Sequence, residues 1–202
     1  MKTQIKFYLM LVSMLCIAGS AFAQLTVEEE NMLKKRAAEK TAQMNDYITF
    51  MAKKDKTYDN RVYYKGKALN LFIGKGYKYE EDGVEKEGVM MEITSTKRKE
   101  TNHRLMRDYF ESLIKLGYSE VDIQSTKIPQ IKVSNLKQTG SNTYECTCEY
   151  DQYFTAYRDR IVVYKDKTTK RIKCIIEQED TEDGKEYIVM LGDVTALETK
   201  KL

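Results

Sequence analysis

The sequence predicts an α+β fold in a single domain. Three observations predict it. Apolar residues recur at helical spacing through the first half of the chain, they alternate with polar residues through the last third, and no linker separates the two regimes. A single proline, Pro129, and no Pro/Gly/Ser-rich stretch leave nothing that reads as a domain boundary.

Thr26, with Glu29 three positions on, is a capping box that starts a helix. Leu33, Ala37, Met44, Ile48 and Met51 then share one face and Lys34, Lys35, Arg36, Glu39 and Lys40 the other, so an amphipathic helix is expected over residues 27–53. A second helix is expected over 60–73, with Val62, Leu69, Phe72 and Ile73 as its apolar side and Gly74 as its C-terminal stop. Tyr77 and Tyr79, then Val89, Met91 and Ile93, alternate with polar residues around Asp82-Gly83 and Gly88, which predicts a short hairpin. Thr101 opens a third helix, whose buried side is Leu105, Met106, Tyr109, Phe110, Leu113 and Leu116 and which Gly117 closes.

The last third reads as strands. Ile131 and Val133 begin it, and Gly140-Ser141-Asn142 makes a turn. Tyr144, Cys146, Cys148 and Tyr150 alternate strictly with Glu145, Thr147, Glu149 and Asp151, the pattern of a strand with one apolar and one wet face. Residues 161–164 form the next strand, 166–170 a polar turn that also accounts for the basic cluster over 165–173, and 172–176 another strand. Asp183-Gly184 signals a hairpin leading into Tyr187, Val189 and Leu191.

This order resembles the nuclear-transport-factor-two-like superfamily, the cone-shaped, cystatin-like fold shared with ketosteroid isomerases. The resemblance lies in element order and lengths across nearly all of residues 24–202, since the superfamily has no shared motif. It implies three N-terminal helices, with the hairpin between the second and third, packed on a curved antiparallel sheet of about four long strands that encloses a pocket.

Residues 1–23 set an expectation about compartment. Lys2 and Lys6 precede an apolar run over 7–18, and Gly19-Ser20-Ala21-Phe22-Ala23 offers a small-x-small cleavage site before Gln24. That is the pattern of a secretory signal peptide, and the run is too short for a membrane span of about 20 residues. The protein is expected to be exported to the periplasm or the extracellular side, with no membrane span after cleavage. Leu15 before Cys16 argues against a lipid-attachment cysteine. The leader and the Gln24 start resemble exported proteins of gut-type Bacteroidetes.

Candidate chemistry is sparse. The leader removes two lysines and no acids, so charge in the remainder is nearly balanced, which argues against nucleic acid binding. His103 is the only histidine and is expected as an exposed residue in the first turn of the third helix. Gly74-Lys75-Gly76 lacks the preceding glycine and the strand-to-helix order of a phosphate loop. The acidic run over 177–186 has Met190 where a calcium ligand would stand. No catalytic residue, metal site or cofactor is expected.

Cys146 and Cys148 share a strand face, and Cys174 has an equally apolar register; the three are either buried thiols or include a disulfide to Cys174. Tyrosine is abundant, with 15 copies, and Tyr109, Tyr144, Tyr150 and Tyr164 are candidate pocket residues with hydroxyls to offer a ligand. The favoured reading is an exported, non-catalytic domain binding a protein partner or a small apolar ligand; a homodimer is compatible with it. The alternatives are a small-molecule isomerase or dehydratase of ketosteroid-isomerase type, using an acid such as Asp108 or Glu111 with a tyrosine, and a structural part of an envelope complex.

Overall fold

The computed structural model describes residues 25–202 apart from 82, 98, 99 and 183. The leader, Cys16 and the first residue of each Asp-Gly turn lie outside the described residues. Helix α1 (Val27–Ala52) begins at the expected capping box: the Glu29 N–H donates to Thr26 Oγ1 at 3.1 Å and the Thr26 N–H donates to Glu29 Oε2 at 2.8 Å. Leu33, Ala37, Met44, Ile48 and Met51 are fully buried, so the apolar stripe lies against the rest of the fold.

Helix α2 (Tyr58–Leu69) ends earlier than its apolar pattern suggests. Phe72 leaves the helix and bridges Leu191, and the chain reverses through Gly74 and Lys75, both at positive φ. A small hairpin follows, β1 (Tyr79–Glu81) with β2 (Val84–Lys86), shorter and earlier than expected. Strand β3 (Met90–Ile93) pairs instead with β4 (Asn102–Leu105), and helix α3 (Met106–Ile114) begins only there. The segment from Thr101 is therefore not helical: cross-strand pairing, His103 opposite Glu92 among it, outweighs the apolar periodicity. Lys54 and Arg61 donate to the Ile114 carbonyl, satisfying the end of α3 from two other elements.

Three long strands carry the sheet: β8 (Thr143–Arg158), β9 (Ile161–Thr181) and β10 (Gly184–Lys201). The sheet order is β4-β3-β10-β9-β8-β5, with β5 (Glu120–Ser125) and the short β6 (Lys132–Val133) and β7 (Lys137–Gln138) pairing successive stretches of β8. The sheet is mixed rather than wholly antiparallel, because β3 runs parallel to β10 at Met91 and Val194. With α1, α2 and α3 packed on it, the architecture is the α+β cone expected from the element order.

Strand β9 is longer than the sequence pattern suggests. The expected turn over 166–170 does not exist; residues 161–181 form one strand, and Asp166, Thr168 and Lys170 are buried on the same face as Ile172, Cys174 and Ile176. The β8–β9 connection is instead a two-residue turn at Asp159 and Arg160, with φ of 52° and 67°. Among the described residues no helix is long and apolar enough to cross a membrane.

Candidate functional site

The inner face of the long strands divides into two halves. Toward one end, Tyr144 stands opposite Ile176, Cys146 opposite Cys174 and Cys148 opposite Ile172, all buried. The three cysteines are thiols in one cluster, with Cys174 Sγ 3.7 Å from Cys148 Sγ. Hydrogen bonding to Cys146 and Cys148, with burial, holds the Cys174 thiol well above its usual range. Cys174 is on the strand adjacent to Cys146 and Cys148, because the predicted intervening turn is absent.

The other half is polar. One row across the sheet runs Ser125, Gln152, Thr168, Thr199; the next sets Tyr150 opposite Lys170; the next sets Phe154 opposite Asp166. Asn45 of α1 is 3% exposed and Tyr150, Gln152, Asp166 and Lys170 are 2–7% exposed. Among the described residues, six buried side-chain polar atoms have no hydrogen-bond partner in the chain, and five of them belong here: Asn45 Nδ2 and Oδ1, Ser125 Oγ, Tyr150 Oη and Gln152 Nε2. The sixth is Arg61 Nε. An unpaired buried polar group costs about 1–3 kcal/mol, so five in one region are costly unless a further hydrogen-bonding group meets them. A cleft of about 330 Å³ lined by Asn45, Thr49, Ser125, Thr126 and Lys127 reaches two of these residues from the surface.

Deeper on the same face the groups become ionisable. The Lys170 ammonium donates to the Met91 thioether at 3.3 Å and lies 5.7 Å from the centre of the Tyr109 ring. No carboxylate lies within ion-pairing distance of it among the described residues. Burial pulls its pKa down to about 8, with the charges of Asp166 and Glu92 opposing. Burial pushes the Asp166 carboxyl up, while the Tyr164 hydroxyl that donates to it and the charge of Lys170 act the other way. Tyr164 is a node at the rim: its hydroxyl also accepts from the Thr96 N–H at 3.1 Å and meets Ser95 Oγ at 2.8 Å. Burial raises both the Tyr109 and Tyr150 phenols.

Of the four tyrosines singled out from sequence, Tyr109, Tyr150 and Tyr164 adjoin this polar half, while Tyr144 stands in the apolar half. Sequence reasoning missed Asn45, Ser125, Gln152, Asp166 and Lys170. The signal for the last two was present: Asp166, Thr168, Lys170, Ile172, Cys174 and Ile176 keep one unbroken period of two. His103 is on β4 rather than in a helix, mostly exposed, 3.7 Å from Glu92. Glu111 faces outward between Lys115 and Lys65, which hold its carboxyl down at about 2, and Asp108 is exposed beside Arg107. Neither acid belongs to the interior.

No known protein family and no curated protein matches this chain. Among solved structures, a protein of Novosphingobium aromaticivorans DSM 12444 provisionally named a scytalone dehydratase overlays 87% of this chain and 92% of its own, at 10% identity and a TM-score of 0.40. A type 2 hexachlorocyclohexane dehydrochlorinase overlays 86% of this chain and 91% of its own, at 7% identity and a TM-score of 0.39.

Proposed function

We propose that this protein is an exported domain that binds a small polar molecule inside the cone. The observation that carries the reading is the convergence of Asn45, Ser125, Tyr150 and Gln152, with five unpartnered polar atoms, on one buried region. Asn45 and Gln152 offer both donors and acceptors, and Tyr150 and Ser125 offer hydroxyls, so the fitting ligand is a compact molecule rich in oxygen or nitrogen rather than an apolar one. Export rests on the basic-apolar-small pattern of residues 1–23.

The test is native mass spectrometry of protein purified from its own cell envelope. A mature chain starting at Gln24 and carrying a reproducible small mass is expected, with the mass lost in Asn45→Ala and Gln152→Ala variants. A wild-type chain without the extra mass overturns the binding reading, and retention of residues 1–23 overturns export.

A second reading, acid–base catalysis of an isomerisation or dehydration, draws on a different observation. Asp166 is a buried carboxyl held by the Tyr164 hydroxyl, and burial pushes its pKa up. On this reading Asp166→Asn keeps the bound mass but abolishes turnover of it; on the binding reading the ligand is recovered chemically unchanged from both proteins.

A further inference from the structure

We propose that Lys170 is a nucleophilic amine that condenses with the carbonyl group of a small aldehyde or ketone, forming an imine inside the cone. This rests on the binding reading above and names the ligand's reactive group.

A buried lysine ordinarily has a carboxylate partner, and that ion pair offsets part of the cost of burial and keeps the amine protonated and non-nucleophilic. Among the described residues Lys170 has no partner within ion-pairing distance: it is 4% exposed, and its one hydrogen bond there goes to a thioether, Met91 Sδ at 3.3 Å. The charged groups that face it are Asp166 on its own strand and Glu92 on β3; Tyr109 of α3 covers it, and Tyr150 of β8 stands opposite. A thioether and a ring face stabilise a cation weakly, so they favour the neutral amine, whose lone pair is the reactive species.

The neighbours match the remaining needs of the reaction. The Tyr150 hydroxyl has no hydrogen-bond partner among the described residues and Tyr150 stands across from Lys170, so the hydroxyl is free to donate to the carbonyl oxygen. The neutral Nζ attacks the carbonyl carbon; the N–C bond forms as the C=O π bond opens, and the nitrogen proton passes to the oxygen to give a carbinolamine. The Asp166 carboxyl then protonates that hydroxyl, the C–O bond breaks, and water leaves. The products are an iminium and the Asp166 carboxylate. Amine, carbonyl compound and carboxylic acid go in; iminium, carboxylate and water come out, with no oxidant or reductant.

Propionaldehyde with cyanoborohydride tests this on the full mature protein, because hydride reduces an imine to a stable propyl-lysine that peptide mapping locates. At pH 7.5 an amine titrating near 8 has on the order of 200 times the neutral fraction of one near 10.5. Labelling of Lys170 at least about 10-fold above the average exposed lysine is expected after allowance for restricted entry. Lys170→Arg should remove that site alone, and Asp166→Asn should slow labelling about 10-fold while leaving Lys170 the preferred site. Modification confined to surface lysines and the amino terminus overturns the proposal. A parallel titration with propan-1-ol, read on the NMR signal of the Met91 methyl group, separates the two failures. A shift of that signal without imine trapping leaves the interior a binding site and removes only the covalent chemistry; no shift with either probe, together with no extra mass on the native protein, overturns the binding reading as well.

Discussion

The two halves of the inner sheet face are built by the same strands, in the same alternation, and they do opposite things to stability. In the half around Cys146, Cys148, Ile172, Cys174, Ile176 and Leu191, every inward position on β8, β9 and β10 is apolar and buried under α1. In the half around Tyr150, Gln152, Asp166, Thr168 and Lys170, the inward positions are equally buried but polar. The first half supplies hydrophobic free energy, at roughly 25 cal/mol for each Å² of apolar surface removed from water. The second spends some of it on desolvated amides, hydroxyls and charges. Leucines and methionines at those positions would be the more stabilising choice, so the polar half lowers stability relative to an apolar one.

Substitutions in the two halves should therefore have opposite signs. Ile176→Ala, in the apolar half, is expected to lose about 3–4 kcal/mol through lost burial and a residual cavity, measured by urea unfolding. Lys170→Met, in the polar half, is expected to gain about 3 kcal/mol at pH 7 in ligand-free protein, from a lysine held near 8 when folded and near 10.5 when unfolded. The sign follows from proton counting. Below pH 8 both states of the wild type are protonated and the whole burial cost is present. Between 8 and 10.5 the unfolded state binds more protons, so wild-type stability rises with pH. The variant should lack that rise, and its advantage should vanish by about pH 10.5. A Lys170→Met protein less stable than wild type at pH 7 would break the comparison.

Gln152→Leu sharpens it further. Removing an amide with an unpartnered buried Nε2 should gain about 1–2 kcal/mol in ligand-free protein while weakening retention of any bound molecule. The smallest effect lies in the scaffold that both halves share. Asp159 and Arg160 make the β8–β9 turn with both residues at positive φ, a conformation that favours asparagine and glycine. Arg160→Gly is expected to gain up to about 1 kcal/mol in thermal unfolding without changing either half.

The same turn explains one limit of the sequence reading. Without Asn-Gly or Gly at its tip, Arg158-Asp159-Arg160-Ile161 carries no hairpin signal, whereas the polar run over 166–170 looks like a turn and is not one. Propensity identifies turns by residue type, and here long cross-strand pairing overrides it: Lys170, Thr168 and Asp166 are locked opposite Tyr150, Gln152 and Phe154. The burial of Tyr144 and Tyr150 was legible because an alternating tyrosine declares its face. Asn45 was not, since one polar residue on a helical stripe is ordinarily a tolerated exception.

Local rules were enough for the capping box at Thr26, the apolar stripe of α1, the strict alternation of 144–151 and the α+β class. Each depends on residues within a turn or two of one another, so period and cap chemistry decide them. The parallel contact of β3 with β10, the strand in place of a helix start at 102–105, and the meeting of Asn45, Ser125, Gln152 and Lys170 were decided only by the tertiary structure. Those residues come from α1, β5, β8 and β9, and whether a buried polar group has a partner depends on which strands become neighbours.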